Sequence, residues 1–491
     1  MSEPRIAIIG AGFGGLAAAI ELQRAGIGTF TIYERASEVG GVWQANSYPG
    51  AACDVPSVTY QFSSELNGNW SRRFGTQPEI RDYLRDVAVR HGIRERIRFG
   101  AAVSALDWDE QRALWSLTLA GGELVEAEIV ICATGQLSNP NIPQLPGQDE
   151  FAGAQFHSAE WNHDVELRGR RVVVVGGGAT AIQVVPAIAG QVRHLTVLQR
   201  SPSWVVGKWD WRPAWIERRR SLQRLYHDAT WLWYEARYPA VLRWSRPIGA
   251  LWEARLKRRI ATVLRDPQKI AAAIPDYQLG CNRILLSRDW YRTLARPDVD
   301  VFREGIERMS ADGLLTTGGR ELGADIVIWC TGFTANRYLA PMSVTGRDGL
   351  AIDEAWRDGP QAYLGMTAPG FPNLFMVYGP NTNSLTNTIV YLLERQAAYI
   401  RQAVEHLRAA GGTLEVRRDV HDAFNAELTR RFGRTVFTTG CPGWYKSASG
   451  RVVSVWVGSH IEYGRRTRRF DPSLFVHGDA AAEKAAGPAV P

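Results

Sequence analysis

Three glycines near the start of the chain have the spacing of a loop that binds a pyrophosphate. Gly10, Gly12 and Gly15 form GxGxxG between an apolar stretch, "RIAIIG", and a helical pattern, "GLAAAIELQRAG". The glycines permit a tight turn, let phosphates approach the backbone and let helix and strand pack closely. The next apolar stretch, "TFTIYE", ends in Glu34, whose carboxylate can bind both ribose hydroxyls and would repel a 2′-phosphate.

The same arrangement recurs with the opposite charge. Gly176, Gly178 and Ala181 follow the apolar stretch "RVVVVG" and begin a helical pattern. The strand after it leads to Arg200 and Ser201, where a guanidinium suits a 2′-phosphate. We therefore predict that the first unit binds the adenosine diphosphate half of FAD and that the second binds NADPH. The alternative for Arg200 is a solvated surface charge.

The elements around these loops divide the chain into two nucleotide-binding domains, because 491 residues are too many for one core. Two apolar strands, in "ELVEAEIVICATGQ" and "ELGADIVIWCTGF", end in Thr-Gly turns where the chain can pass between the domains. We predict an α/β fold with two Rossmann-like dinucleotide-binding domains, the NADP domain inserted into the FAD domain. The predicted parts are 1–150 (FAD), 151–325 (NADP, with a helical insertion at about 205–275), 326–475 (FAD and C-terminal segment) and 476–491 (disordered tail).

Composition and motifs argue against other classes of protein. The chain has 45% hydrophobic and 22% charged residues, no apolar run of the roughly 18 residues that a bilayer span needs, and no N-terminal signal pattern. Its five cysteines have no paired spacing, which predicts a reduced, cytoplasmic protein without structural disulfides. No metal site and no nucleic-acid partner is predicted.

Two longer patterns are more specific than the glycine loops. Phe151, Gly153, His157 and Trp161 spell F-x-G-x-x-x-H-x-x-x-W, which resembles the fingerprint of class B flavoprotein monooxygenases of the Baeyer–Villiger type. "GGVWQANSYPGAACD" and "CPGWYKSASGR" are similar to further stretches of that family, and the likeness extends to about residue 475. Disulfide reductases share the two glycine loops, but no C-x-x-C or C-x₄-C pair is present here.

The resemblance implies an activity and a site. The enzyme would use NADPH, FAD and O₂ to insert one oxygen atom beside a ketone carbonyl through a peroxyflavin, giving an ester or lactone. Arg283, in "GCNR", matches the family's active-site arginine, and Asp54 matches the acid that pairs with it. Trp43, Tyr60 and Trp444 match positions near the cofactors.

Plainer interpretations stay open for these residues. Asp54 could cap a turn, Arg283 could form a surface salt bridge, and Trp444 could pack in the core. His157 fits a hinge of the linker better than a proton donor, since nothing in the sequence places it over a flavin. Asn282 stands where the family often has lysine, which predicts weaker discrimination between NADPH and NADH.

The predicted insertion is rich in tryptophan. Eight of the chain's 18 tryptophans lie between 203 and 259. We predict helices that wall the substrate site, with simple packing or contact with a membrane surface as alternatives. For the whole enzyme, the alternative functions are oxidation of sulfur or nitrogen by a flavin-containing monooxygenase and a flavin-binding protein without turnover. Trp161 and Asp54 favour the ketone reaction.

Overall fold

The computed structural model describes residues 3–237, 246–438, 443 and 445–478. The predictions for Trp444 and for residues 479–491 of the tail lie outside these ranges. Residues 476–478, predicted as the start of the disordered tail, belong instead to the strand Phe475–Gly478. Within the described ranges, no helix is long and apolar enough to cross a bilayer, and no cluster of three His, Cys, Asp or Glu side chains could hold a metal ion.

The strands are numbered in chain order. They are β1 Ile6–Ile9, β2 Phe30–Glu34, β3 Ile97–Phe99, β4 Val103–Asp109, β5 Leu114–Leu119, β6 Leu124–Ala127, β7 Ile129–Cys132, β8 Ala154–His157, β9 Arg171–Val175, β10 His194–Leu198, β11 Val205–Val206, β12 Leu285–Leu286, β13 Val299–Phe302, β14 Ile306–Ser310, β15 Gly313–Thr316, β16 Glu321–Gly323, β17 Ile326–Trp329, β18 Ser343–Thr345, β19 Leu374–Met376, β20 Thr413–Val416 and β21 Phe475–Gly478.

The helices are numbered in the same way. They are α1 Phe13–Arg24, α2 Val42–Ala45, α3 Gln77–Arg90, α4 Ala181–Ile188, α5 Ala214–Glu217, α6 Arg220–Ala236, α7 Arg246–Leu264, α8 Pro267–Ala273, α9 Trp290–Leu294, α10 Ile352–Ala355, α11 Ile389–Ala410, α12 Arg418–Phe432 and α13 His460–Arg466.

The first glycine loop belongs to a parallel five-stranded sheet with the order β19-β7-β1-β2-β3. Its central strands, "IAII" and "IVIC", are buried at every position, as expected for strands that are covered on both faces. Strand β19 pairs with β7 although more than 240 residues separate them. The chain therefore leaves this sheet after β7 and returns to it at β19.

The second glycine loop belongs to another parallel five-stranded sheet, ordered β13-β10-β9-β17-β8. All its strands lie between β7 and β19 in the sequence, so the second nucleotide-binding fold is inserted into the first, as predicted. Residues 326–329 form β17 of this second sheet. The predicted limit at 325 therefore falls just before a strand that belongs to the inserted sheet.

Helices α5 to α8 form the insertion, and the short parallel pair β11 and β12 lies at its base. Close to that base, Cys281 is disulfide-bonded. The prediction of no structural disulfides is therefore wrong, because a disulfide depends on tertiary proximity and not on spacing along the chain. Cys53, Cys132 and Cys330 are free and buried.

Candidate cofactor and catalytic site

Two of the three glycines in the first loop are packed so tightly that a side chain would not fit. Gly10 has φ +103°, and a Cβ atom there would lie 2.6 Å from the carbonyl oxygen of Ala133. A Cβ atom on Gly15 would collide with the carbonyl oxygen of Gly10. Gly12 is the N-cap of α1, so the N-terminal amides of this helix face the loop, an arrangement that suits a pyrophosphate.

Glu34 is fixed beside this loop at the end of β2. Its side chain is buried, and its two oxygens accept hydrogen bonds from the backbone amides of Ala11 at 2.7 Å and Ala36 at 2.8 Å. The carboxylate is therefore held in one position by the glycine loop on one side and by the backbone just after β2 on the other. This is the position at which a ribose can be bound in a fold of this kind.

Two of the residues predicted to contact a cofactor also contact each other. The indole Nε1 of Trp43 donates a hydrogen bond to the Tyr60 hydroxyl at 3.2 Å. The Tyr60 ring in turn packs edge-on against Phe13, the first residue of α1, with ring centroids 5.2 Å apart. Burial raises the pKa of Tyr60, so the hydroxyl stays protonated. The result is an aromatic wall beside the first glycine loop.

The second glycine loop is similar at its first glycine and more open at Gly178. Gly176 has φ +132°, and a Cβ atom there would collide with the carbonyl oxygen of Cys330. A Cβ atom on Gly178 would have no atom within 4 Å, and Ala181 begins α4. Arg200 and Ser201 are exposed just beyond β10. Among the described residues, the Arg200 guanidinium has no hydrogen-bond or ion-pair partner.

The stretch "GGVWQANSYPGAACD" joins the two nucleotide-binding units. The Tyr48 hydroxyl donates to Oε1 of Gln183 on α4 at 3.0 Å, and Nε2 of Gln183 donates to the carbonyl of Ala52 at 2.9 Å. These hydrogen bonds attach a loop of the first unit to a helix of the second. They also fix the backbone next to Asp54.

Asp54 and Arg283, which are 229 positions apart in the sequence, meet where the two units join. A guanidinium nitrogen of Arg283 lies 3.8 Å from a carboxylate oxygen of Asp54. The Asp54 side chain is 9% exposed, whereas that of Arg283 is 49% exposed. Desolvation lowers the pKa of Arg283, but Asp54 together with Tyr445, Cys53 and Tyr378 raises it, and the pKa is raised overall. The arginine is therefore a permanent cation with room to move.

Lys208 is a second cation at Asp54 that the sequence analysis missed. Its ammonium lies 3.7 Å from the other carboxylate oxygen, donates a hydrogen bond to the carbonyl of Cys53 at 3.0 Å and lies 4.8 Å from the centre of the Phe74 ring. Lys208 follows β11 in the second unit, in "VVGKWDW". No spacing in the sequence relates it to Asp54.

The four residues of the linker pattern make structural contacts. His157 is fully buried at the end of β8, its Nδ1 accepts a hydrogen bond from the Ala159 amide at 3.1 Å, and burial lowers its pKa. A Cβ atom on Gly153 would lie 2.5 Å from the ring of Phe151, which is buried. The Trp161 ring packs edge-on against Phe156, with centroids 5.1 Å apart. These contacts fit a hinge where the chain enters the second unit.

The site as a whole fits two dinucleotides. Each unit offers a glycine loop at a helix N-terminus, and the first has a fixed carboxylate where the second has an exposed guanidinium. Between the units, Oδ1 of Asp54 is buried and accepts no hydrogen bond within the described residues. The free thiols of Cys53, Cys132 and Cys330 are unsuited to redox exchange, because burial raises the pKa of each to about 12.

Comparisons with known proteins agree with this arrangement. Residues 4–210 match a family model described as pyridine nucleotide-disulphide oxidoreductase. The chain is 41% identical to a Baeyer-Villiger monooxygenase of Streptomyces coelicolor, over 95% of this chain and 91% of that relative. The fold is similar to that of an oxidized steroid monooxygenase bound to NADP, with a TM-score of 0.86 and 29% identity over 97% of this chain and 100% of the other. It is equally similar to OTEMO in complex with FAD and NADP, with a TM-score of 0.86 and 26% identity over 95% and 98% of the two chains.

Proposed function

The chain belongs to the Baeyer–Villiger monooxygenases, and from that membership we propose which of its residues carry out the reaction. The enzyme uses FAD, NADPH and O₂ to insert one oxygen atom beside a ketone carbonyl, giving an ester or lactone. One observation carries the residue assignment: a half-exposed cation, Arg283, and a buried carboxylate, Asp54, meet where the two nucleotide-binding units join.

The two glycine loops would hold the two cofactors. Gly10, Gly12, Gly15 and Glu34 would bind the adenosine diphosphate part of FAD, with Trp43 and Tyr60 beside it. Gly176, Gly178, Ala181, Arg200 and Ser201 would bind NADPH. When bound, NADPH supplies hydride, and the reduced flavin activates oxygen.

Arg283 would act as the electrostatic catalyst. Oxygen insertion beside a carbonyl develops negative charge on oxygen, and a preorganised cation in a site with little water stabilises such charge. A guanidinium remains protonated at any working pH, and the half-exposed Arg283 side chain can turn towards the reacting atoms. Asp54 would orient the guanidinium through their contact.

Lys208 would keep Asp54 from neutralising the arginine. Two cations lie within 4 Å of one carboxylate, so the three side chains carry a net positive charge. The positive charge of Lys208 would offset part of the negative charge of Asp54. Arg283 would then exert a stronger positive electrostatic potential on the substrate. We therefore assign Lys208 a positioning role and not a catalytic one.

The assignment of Arg283 can be tested with purified enzyme, a cyclic ketone and an aryl methyl sulfide. The wild type should convert the ketone to its lactone with NADPH. Arg283→Ala should retain FAD and its anaerobic reduction by NADPH, yet lose about 100-fold or more in lactone formation, a loss typical of removing one stabiliser of oxyanion charge. Hydrogen peroxide should account for the NADPH consumed.

Two results would contradict the proposal. A wild-type enzyme that forms only sulfoxide and no lactone would contradict the ketone reaction. Unchanged lactone yield in Arg283→Ala would remove Arg283 from its role while leaving the family assignment intact.

The role of Lys208 predicts a smaller effect. Lys208→Met should leave flavin reduction within about twofold and lower the lactone formed per NADPH several-fold, because the neighbouring carboxylate then neutralises Arg283 more fully. Lys208→Arg, which restores the charge, should recover most of the coupling. If Lys208→Arg is as uncoupled as Lys208→Met, the effect is not one of charge.

A further inference from the structure

Helix α6 of the insertion presents a row of apolar side chains to solvent, whereas its fully buried residues are polar and Trp231 packs against Tyr391. Its buried residues are Gln223, His227 and Glu235. Three of its large apolar side chains are exposed: Leu225 and Trp233 are 66% and 64% exposed, and Leu232 is 56% exposed. A helix that only packs on a globular core has the reverse arrangement.

The exposed apolar residues of α6 form one continuous stripe. Leu225, Ala229, Leu232, Trp233 and Ala236 are all exposed and are spaced by four, three, one and three positions. Since residues three, four and seven apart lie on the same side of a helix, the stripe runs along about three turns. We call these five residues the α6 stripe.

The orientation of α6 is fixed from its polar side. A carboxylate oxygen of Glu235 lies 3.1 Å from Nδ1 of His460, and the other accepts a hydrogen bond from the Ile461 amide at 3.3 Å. The Asn387 amide donates to the carbonyl of Trp231 at 3.0 Å. These contacts connect α6 to α13 and to the segment before α11, so the helix cannot roll to bury its stripe.

Other exposed apolar residues cluster in the same insertion. Of the 14 large hydrophobic side chains that are exposed in the described part of the chain, eight lie between residues 209 and 252. Besides the α6 stripe they are Trp209, Trp211, Trp215, Leu251 and Trp252. Five of the eight are tryptophans, the side chain that favours the boundary between lipid head groups and acyl chains.

The charge around the α6 stripe is positive. Arg218, Arg219, Arg220, Arg224 and Arg237 are exposed at or beside the ends of the helix. Of the acidic residues nearby, Glu217 and Glu235 are buried beside Arg212 and His460. Asp228, on α6 itself, is half-exposed and pairs with Arg224 at 3.2 Å, and the remaining arginines leave the net charge positive. A second copy of the chain would bring like charges together here, whereas an anionic surface would complement them.

We propose that the α6 stripe binds the enzyme to the surface of an anionic lipid bilayer. The helix would lie in the plane of the interface, with Leu225, Leu232 and Trp233 in the acyl boundary and the flanking arginines among the phosphates. The contact is peripheral, since none of the helices in the described ranges could span a bilayer. None of the residues of the α6 stripe has been assigned a cofactor or catalytic role above, so this proposal does not depend on those roles.

Co-sedimentation of the full-length holoenzyme with vesicles tests the proposal. Wild type should bind vesicles of phosphatidylcholine with phosphatidylglycerol and bind pure phosphatidylcholine weakly. The double variant Leu225→Glu/Leu232→Glu should lose about tenfold or more in affinity, because it removes two apolar anchors and adds charge of the wrong sign. The matched control is Leu124→Glu, which changes an equally exposed leucine, 69% exposed on β6, and should bind like wild type.

The outcomes distinguish a lipid bilayer from a second copy of the chain as the binding partner of the α6 stripe. FAD content and NADPH oxidation in solution should be unchanged in the double variant, which shows that it is folded. Equal sedimentation of wild type and double variant, or none of the wild type, overturns the proposal. A wild-type dimer in size-exclusion chromatography that dissociates in the double variant, without vesicle binding, overturns it in favour of a second copy of the chain.

Discussion

The two glycine loops have similar backbones, but the residues proposed to discriminate between the two cofactors differ in charge and in burial. Gly10 and Gly176 both have positive φ and both lie against a carbonyl oxygen, of Ala133 and Cys330 respectively. Glu34, however, is buried and accepts two backbone hydrogen bonds. Its counterpart Arg200 is exposed and has no polar partner among the residues that the structure describes.

This difference suits two cofactors with different residence times. A carboxylate that is already fixed loses little conformational freedom on binding, which favours a cofactor that stays bound. An exposed arginine must be ordered by each incoming phosphate, which favours a cosubstrate that binds and leaves. The third position of the two loops differs as well. Gly15 has no room for a side chain in the first loop, whereas Ala181 occupies the equivalent place in the second.

The largest expected effect is at Gly15, which admits no side chain, and Gly178 of the second loop, which has room for one, provides the contrast. Gly15→Ala should yield protein largely without FAD and lower the free energy of unfolding by about 1–3 kcal/mol, as overpacking does. Gly178→Ala should retain FAD and stability and raise only the KM for NADPH, since its methyl group meets no protein atom within 4 Å. Flavin absorbance, thermal unfolding and steady-state kinetics measure this contrast. Equal stability of the two variants would contradict it.

A smaller effect is expected at the fixed carboxylate. Glu34→Gln retains the shape but replaces an anion that accepts two amide hydrogen bonds. FAD affinity should fall about tenfold to a hundredfold, the range for losing a hydrogen bond to a charged group. Titration of apoenzyme with FAD measures it. Glu123→Gln, on the surface of the same domain, is the control and should bind FAD like wild type.

The smallest effect is expected at the exposed arginine. Arg200→Ala should raise the KM for NADPH by about tenfold, because an exposed ion pair is partly screened by solvent. The KM for NADH should stay the same. Arg193→Ala, which removes an exposed charge just before β10, should change neither. An equal rise for NADPH and NADH in Arg200→Ala would exclude recognition of the 2′-phosphate.

Much of the site follows from residues that are close together in the sequence. Gly10, Gly15 and Glu34 lie within one strand-turn-helix-strand unit, where backbone sterics dictate which residue types fit. The meeting of Asp54 with Arg283 was predictable only through the resemblance to a family. Lys208 had no such signal, since its contact with Asp54 depends on how the inserted sheet packs on the first.

The sequence by itself determined the two nucleotide-binding folds and their cofactor types, because turn geometry, strand periodicity and the sign of a charge are local properties. Only the tertiary structure decided that two cations share Asp54, that Cys281 forms a disulfide and that α6 turns its apolar side outward. The last of these has a simple cause. Periodicity shows that a helix has two faces, but the polar contacts with His460 and Asn387, far along the chain, decide which face is buried.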